Sequence, residues 1–343
     1  MPAPYQNPGL AMSPTTRNDP ALVKALQRDL RALGYLRAGI DGVFGQGTAA
    51  ALRACRYDLL HNDGASRSND GRAPVAVLSY NRGRVQDDAA TALDQPLADC
   101  IAEMAADPLF PKLPASADPA GDNRRANAAI AAMRSARAPR PFVQAIVQQE
   151  SGGRHFVEPH GADEDTFVLL GVDHAKGAPP QQITSRGFGI GQYTLFHHPP
   201  TADEVRRYIL DPVGSAGNAF LELRDKFDHF VGSSDDHTAE HPRQSALRPC
   251  KYPTGDPRYM ADCVACAHAV RAVDIVAGTP LFPGAAETYQ PDALYPTATY
   301  RGVPDRAEFG CDWPYAVRRY NGSGPDSYHY QTTILLKLAA MSA

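Results

Sequence analysis

The chain has 343 residues, 43% of them hydrophobic, and a formal net charge of -4. That length and apolar content support a sizeable core and two domains, while the slightly acidic balance excludes a general nucleic-acid binder. No run of about 18 apolar residues occurs, so no membrane span is expected.

Residues 1–17 are rich in Pro, Ala, Ser and Thr and read as a disordered arm. The start, Met1-Pro2-Ala3-Pro4-Tyr5, lacks the basic region and apolar core of a secretory signal. Order is expected from Asp19-Pro20, an N-cap followed by proline at the first helical position, and Leu22, Leu26, Leu30 and Leu33 keep helical spacing up to a stop at Gly34. A turn leads into Ile40-Asp41-Gly42-Val43-Phe44-Gly45-Gln46-Gly47-Thr48, and a second helix runs over 49–57. Helix, loop and helix, with Leu33-Gly34-Tyr35-Leu36 and then Asp41-Gly42-x-Phe44-Gly45-x-x-Thr48, closely resemble the small peptidoglycan-binding domain found beside many cell-wall hydrolases. The resemblance implies a three-helix wall-binding module over 18–62, with peptidoglycan as its partner. Asp41 and Thr48 are expected to cap and brace the loop, Gly42 and Gly45 to allow its turns, and Phe44 to be core rather than a ligand contact. Between residues 15 and 62, seven Lys or Arg stand against four Asp. A locally basic module suits the anionic stem peptides of peptidoglycan, although a solvated helix face reads the same way.

Residues 63–94 read as a linker, with His61-Asn62-Asp63-Gly64-Ala65-Ser66 its flexible start. From Gln95 to Met133 two helical patterns flank a proline-rich bend over 108–119 and open a second domain, 95–343; they carry no chemistry. Next comes Pro141-Phe142-Val143-Gln144-Ala145-Ile146-Val147-Gln148-Gln149-Glu150, an apolar helix stopped by Ser151-Gly152-Gly153. Phe142, Ile146 and Glu150 are spaced i, i+4, i+8, so the carboxylate shares a face with two apolar side chains. Partial desolvation and the negative end of the helix dipole both raise a carboxyl pKa. A carboxyl that keeps its proton near neutral pH is what a general acid for glycosidic cleavage requires. The plain alternative is a helix-ending Glu paired with Arg154.

Ile183-Thr184-Ser185-Arg186-Gly187-Phe188-Gly189-Ile190-Gly191-Gln192-Tyr193 reads as an extended segment, a glycine-permitted tight path and an amide side chain presented beside an aromatic. A phosphate loop is excluded, because no Lys-Ser/Thr follows and the glycines lack the dinucleotide spacing. A second carboxylate about 5 Å from Glu150 would suit a retaining nucleophile, and one roughly 6.5–9.5 Å away an inverting water. Glu158, Asp163-Glu164-Asp165 and Asp173 are the candidates, on an expected β-hairpin containing Thr166-Phe167-Val168-Leu169-Leu170. Asp173 is preferred, and the acidic cluster is expected to be a solvated loop. His155, His160 and His174 read as exposed, since no His-x-His or Glu-x-x-His spacing marks a metal site. Neither a metal nor a cofactor is expected.

Asp211-Pro212 starts a further helix with Ala219, Leu223 and Phe227 on one stripe, and 232–257 is a polar excursion. Cys250, Cys263, Cys266 and Cys311 could form one or two disulfides, remain reduced core thiols, or hold zinc; for zinc, the second pair lacks a Cys-x-x-Cys. A last pattern over 315–338 holds Tyr320-Asn321-Gly322 and Tyr328-His329-Tyr330 before an apolar helix through Ile334, Leu335 and Leu338.

Glu150-Ser151-Gly152-Gly153, then Gly189-Ile190-Gly191-Gln192, then Arg319-Tyr320-Asn321-Gly322 resemble the ordered signature of the lysozyme-like superfamily, in its goose-type lysozyme and soluble lytic transglycosylase branch. The three motifs span about half the chain, which departs from the pattern in a long insert between Gln192 and Tyr320. The resemblance implies a mainly α domain with a short β-hairpin at a cleft. It makes Glu150 the catalytic acid, Gln192 a substrate-positioning amide and Tyr320 a hydroxyl close to Glu150 or the sugar. Ser151, Ser185, Gly191, Tyr193 and Asn321 complete the substrate-binding set around them. The activity implied is cleavage of the β-1,4 bond between N-acetylmuramic acid and N-acetylglucosamine. In the transglycosylase variant the substrate's own 6-hydroxyl closes an anhydro ring and no second carboxylate is needed. Without a secretory signal, two settings fit: a phage-type endolysin, or an antibacterial effector exported by a machine such as type VI secretion. The effector reading implies a secretion-machine component and a periplasmic immunity protein as partners. Rivals are a non-catalytic wall-binding protein and a chitinase-like enzyme.

Overall fold

The computed structural model describes residues 2–7, 9, 11–65, 75–133, 138–231, 250–261, 263, 311–321 and 325–341. Over these residues the protein is mainly α-helical, with a small three-stranded antiparallel sheet. No described helix is long and apolar enough to cross a membrane. The chain divides into two compact units, Met1–Ala126 with Arg154–Ser215, and Asn127–Gly153 with Ala216–Ala343. Of the spans read from the sequence, 18–62 and 63–94 both fall within the first unit. The wall-binding helices share a unit with the sheet, and residues 95–343 contribute to both units.

In the first unit, α1 (Pro20–Ala32) opens on the Asp19 carboxylate, which accepts the Ala21 N–H at 2.9 Å. It ends at Gly34, whose φ of +80° is the left-handed conformation that releases the chain from a helix. Val23, Leu26 and Leu30 are buried with Leu52 and Leu59 of α2 (Gln46–His61) and with Leu97 and Ile101 of α3 (Gln95–Ala106). Each such side chain contributes about 1.5–3 kcal/mol by leaving water.

The stretches read as a disordered arm and a linker are packed onto this core. Tyr5 is buried and its hydroxyl donates to Asp29 of α1, while Met12 is buried in an antiparallel bridge with Leu93. A 3-10 helix, Val77–Tyr80, buries Val77 and Tyr80, and the Tyr80 hydroxyl donates to Asp107 at 2.8 Å. The composition reading failed here because a few apolar residues (Tyr5, Met12, Val77, Tyr80, Val85, Leu93) are enough to dock a polar segment when a core face is nearby. Residues 66–74 lie outside the described set.

Charged side chains also join the wall-binding helices to the later part of this unit. Arg31 and Asp165 are each 1% exposed and pair at 2.8 Å; Arg31 further donates to the carbonyls of Leu36 (3.1 Å) and Val168 (3.0 Å). Arg186 donates to the Gly34 carbonyl at 2.9 Å and lies 3.6 Å from the Asp58 carboxylate, which accepts the Tyr35 hydroxyl at 3.0 Å. Arg56 donates to Asp94 at 2.8 Å. The excess of positive charge counted in the module is therefore largely engaged inside the unit: Arg31 and Arg56 are buried, and Lys24 and Arg28 both pair with Glu164. Of the acidic cluster 163–165, read as a solvated loop, Asp165 is a buried internal partner, while Glu164 stays exposed with its cations. Sequence counting cannot see this, because Arg31 and Asp165 lie 134 positions apart.

The sheet runs β1 (Leu170–Asp173), β2 (Ser185–Phe188), β3 (Tyr193–Leu195), with Leu170 opposite Phe188, Asp173 opposite Ser185 and Phe188 opposite Tyr193. The expected hairpin is thus a three-stranded meander displaced toward the C-terminus. Of the residues expected in a strand, Phe167 and Val168 make only isolated bridges, to Ala115 and Phe156. One face buries Val168, Leu170, Phe188 and Leu195 against Leu113, Phe156 and Ile209. A short α6 (Ala202–Glu204) begins on a capping box, with Thr201 and Glu204 bonding each other's backbone, and continues as a π-helical turn, Val205–Ile209.

Two helices, α4 (Pro119–Ala132) and α7 (Pro212–Lys226), span the division between the units. The second unit packs α5 (Arg140–Glu150) against the C-terminal helix Pro325–Ala340 and the helix Trp313–Arg318. Phe142, Val143, Ile146, Phe220, Leu223, Trp313, Ile334 and Leu338 are all buried. Phe227, on the stripe with Ala219 and Leu223, packs against Trp313 with the rings tilted by 32° and their centroids 4.2 Å apart. Residues 232–249, Cys266 and Gly322 lie outside the described set.

Candidate functional site

The wall-binding loop is built around a residue that the motif does not contain. Gln27 of α1, fully buried, donates through its side-chain amide to Asp41 (3.0 Å), the Val43 carbonyl (3.1 Å) and Thr48 (3.2 Å), and accepts the Gly42 N–H at 2.9 Å. Asp41 also accepts the Val43 N–H at 2.8 Å, which closes the turn locally. Gly42 has φ +80°, and a side chain there would press on Pro20. Phe44 is buried, Gly45 is the N-cap of α2, and Val43 is 62% exposed at the tip. Gln27 lies one helical turn from both Val23 and Leu30 on the buried face of α1, a polar residue where the pattern calls for an apolar one.

In the second unit, α5 ends as its sequence dictates. The Ser151 and Gly153 N–H groups both reach the Val147 carbonyl, at 3.1 and 3.2 Å, and Gly152 and Gly153 have φ of +63° and +76°. Phe142 and Ile146 are buried, and Glu150 at the end of their stripe is half-buried. The Tyr330 hydroxyl donates to the Glu150 carboxylate at 2.5 Å. Tyr320 lies parallel to Tyr330, 2° between ring planes and 6.5 Å between centroids. Burial holds both hydroxyls well above the usual tyrosine range, and the Glu150 charge adds to it in each; Glu222 of α7 adds a further push on Tyr320. Three residues thus meet at one place: Glu150 and Tyr320, which the motif resemblance brought together, and Tyr330, to which the sequence reading gave no role. Tyr330 was findable: with Ile334 and Leu338 it is spaced i, i+4, i+8, the same arrangement that puts Glu150 on the buried stripe of α5. Ser151 is buried and its hydroxyl donates back to the Val147 carbonyl at 3.0 Å, a helix-end brace. Asn321 closes the 3-10 turn Arg319–Asn321 and is exposed.

The remaining sequence-derived residues lie in the first unit. Asp173, at the exposed end of β1, accepts the hydroxyl of Ser185 at 3.1 Å. Gln192 adopts φ +50°, unusual for a residue with a side chain, and its amide nitrogen donates to the Gly189 carbonyl at 2.9 Å. Its amide oxygen lies over Gly171 and Gly187, which face each other across β1 and β2; a Cβ on either would collide with it. The glycine spacing of this segment therefore makes room for the Gln192 side chain. Tyr193 stacks on Tyr208 at 4.5 Å, packed against the sheet core, and Gly191 is buried. Asp173 and Glu150 belong to different units; among the described residues of the Glu150 unit, Glu222, 2.8 Å from Lys226, adds its charge to that of Glu150 in raising the Tyr320 hydroxyl.

His155 corrects the expectation of an exposed polar loop: it is fully buried. The Ile190 N–H can only donate and lies 3.2 Å from Nδ1; the Ile209 carbonyl can only accept and lies 2.8 Å from Nε2. The ring is therefore neutral with its proton on Nε2, tying residue 155 to the Gly189–Ile190 turn and to the end of the π-helical segment. Gly189 has φ +66°, and a Cβ there would run into the imidazole. Burial lowers the His155 pKa from 6.5 to about 4. Because the folded value is the depressed one, the unfolded chain takes up this proton first. The stability cost begins as pH falls below 6.5 and grows toward pH 4, to about 3 kcal/mol. Urea titrations at pH 7 and pH 5 should show that fall in wild type and a smaller one in His155→Gln; equal falls would remove His155 as the cause.

Cys55 and Cys100 are buried free thiols, and burial pushes both upward in pKa, Cys100 to about 11. Cys263 and Cys311 are also buried. Among the described residues no group of three or more His, Cys, Asp or Glu could hold a metal ion.

Comparison with known proteins adds one match. Residues 19–55 fit the family described as "Putative peptidoglycan binding domain". No curated protein and no solved structure matches the chain. The matched span contains α1, the loop from Gly39 to Gly45 and most of α2, with Gln27, Asp41 and Thr48 inside it. The chain thus carries a peptidoglycan-binding domain at residues 19–55.

Proposed function

We propose that the protein attaches to peptidoglycan through residues 19–55 and cleaves its glycan strand at the β-1,4 bond between N-acetylmuramic acid and N-acetylglucosamine. The observation that carries the reading is the half-buried Glu150 carboxyl receiving the Tyr330 hydroxyl at 2.5 Å, beside Tyr320. Glu150 is the general acid, delivering a proton to the glycosidic oxygen as the bond breaks. As it does so it becomes a carboxylate, and the Tyr330 hydrogen bond strengthens with that charge, which lowers the barrier more than it stabilises the resting state. Glu222, whose charge adds to the rise of the Tyr320 hydroxyl, is the carboxylate of the same unit that we put forward to assist an attacking water. Binding the insoluble polymer through a dedicated module raises the local concentration of the acid at its substrate. The chemistry is that of a cell-wall-degrading enzyme, and an antibacterial role with a dedicated inhibitory partner is its proposed setting.

The test is a suspension of purified sacculi. Wild type should clear it and leave a soluble N-acetylglucosamine oligomer intact. Attachment without clearing would leave a wall-binding protein, and cleavage of the oligomer alone would make the substrate chitin-like.

A further inference from the structure

The basic face of α1 already holds an acidic peptide, and the peptide is the protein's own. Lys24, Arg28 and Arg31 are spaced i, i+4, i+7 and form one stripe along the helix. Three consecutive acidic residues lie along it. Glu164 bridges Lys24, at 2.7 Å, and Arg28, while Asp165 takes Arg31 at 2.8 Å. The backbone joins in beside them. The Ile40 N–H donates to the Asp163 carboxylate at 3.0 Å, and the Ile40 carbonyl accepts the Glu164 N–H at 3.0 Å. Gly39 leaves the space that the Asp163 carboxylate fills, since a Cβ there would collide with it. One residue of the matched domain, Ile40, thus holds Asp163 and Glu164 through both of its backbone groups, while two cations and a glycine-lined niche take successive carboxylates. These are the elements of a peptide-recognition site for adjacent carboxylates.

The contacts are graded. The Arg31–Asp165 pair is 1% exposed on both sides and is permanent in the folded chain. Arg28 and Glu164 are 52% and 42% exposed, where an ion pair contributes little and salt screens it. The buried pair keeps the neighbouring acidic residues at a high local concentration over the stripe, and the exposed pairs open readily.

We infer that Lys24, Arg28 and the Gly39–Ile40 backbone form a binding site for a peptide bearing neighbouring carboxylates, occupied in cis by Asp163-Glu164, which such a peptide must displace. Resting on the wall-binding reading proposed above, the ligand in question is the carboxylate-bearing stem peptide of peptidoglycan. Occupation in cis lowers apparent affinity by the fraction of time the site is closed, so freeing the site should tighten binding.

The experiment compares wild type, Glu164→Gln, and the pair Asp163→Asn with Glu164→Gln, in the full chain at low salt. The single variant leaves the Asp163 contacts and the Arg31–Asp165 pair in place, so it tests the site even if the double variant melts early. The probe is a labelled pentapeptide of residues 162–166, Ala-Asp-Glu-Asp-Thr, followed by fluorescence anisotropy, with co-sedimentation on purified sacculi measured in parallel. Glu164→Gln should bind the pentapeptide about tenfold more tightly than wild type and sediment more completely, and adding Lys24→Gln and Arg28→Gln should reverse both gains. Pentapeptide affinity equal in wild type and the opened variants would overturn the site, whatever the sacculi do. If the pentapeptide behaves as expected but no variant sediments with sacculi, the acidic-peptide site stands and the wall as its ligand fails.

Discussion

Replacing Arg31 by Met is expected to destabilise the first unit by about 3–5 kcal/mol. The Arg31 guanidinium satisfies the Asp165 carboxylate and the Leu36 and Val168 carbonyls at once, all away from water. Burial already pushes the Asp165 carboxyl up against the downward pull of Arg31. Without the arginine that carboxyl rises further and takes a proton in the folded state before it does in the unfolded one. The variant's deficit should therefore be largest at neutral pH and shrink as pH falls through the raised value. Urea denaturation of Arg31→Met at pH 7 and pH 5 reads both effects. The double variant Arg31→Met with Asp165→Leu should recover most of the loss, because no charge is then left stranded. A single-variant loss below about 1 kcal/mol would mean that the pair behaves as a surface ion pair and does not join the wall-binding helices to the sheet region.

The second large effect is on turnover. Glu150→Gln should lower the rate of glycan cleavage by about 10²–10⁴-fold, the range a positioned general acid supplies. The amide is nearly the same shape and its oxygen can still accept the Tyr330 hydroxyl, so stability should change by less than about 1 kcal/mol. Tyr330→Phe keeps the ring that packs with Tyr320 and removes only the donor; a hydrogen bond to a charged group is typically about 1.5–3 kcal/mol, so the rate should fall by roughly 10- to 100-fold. The combination separates the two roles. A rate loss in Tyr330→Phe accompanied by an equal loss of folding would mark the tyrosine as core alone.

Much of the fold was legible because its signals are local. Asp19-Pro20 and Gly34 bracket α1, and Pro141 and Gly152-Gly153 bracket α5, through backbone rules that act within a few residues. The turn of Asp41, Gly42 and Thr48 was readable for the same reason. What escaped was non-local. Gln27 organises that turn from 14 positions before Asp41, and Arg31 finds Asp165 only once the chain has folded back. His155 looked like a loop histidine, because nothing in its neighbours says that Ile190 and Ile209 will close over it. The arm and linker were misjudged by composition, which averages over polar residues and misses the few apolar ones that dock. Helical spacing alone places Glu150 on the buried stripe of α5 and Tyr330 on that of the last helix. Asp173, on β1, lies in a different unit from Glu150.

The most direct measurement is mass spectrometry of the soluble fragments released from purified peptidoglycan by wild type and by Glu150→Gln, with sedimentation confirming that both proteins bind the same sacculi. Wild type should release glycan fragments and Glu150→Gln almost none. Products with reducing-end N-acetylmuramic acid would mean that water completes the reaction, and anhydro ends that the sugar's own hydroxyl does. Equal release by both proteins would remove Glu150 as the acid, and bound sacculi with no fragments from either would contradict the enzyme reading and leave the peptidoglycan-binding domain as the functional part of the chain.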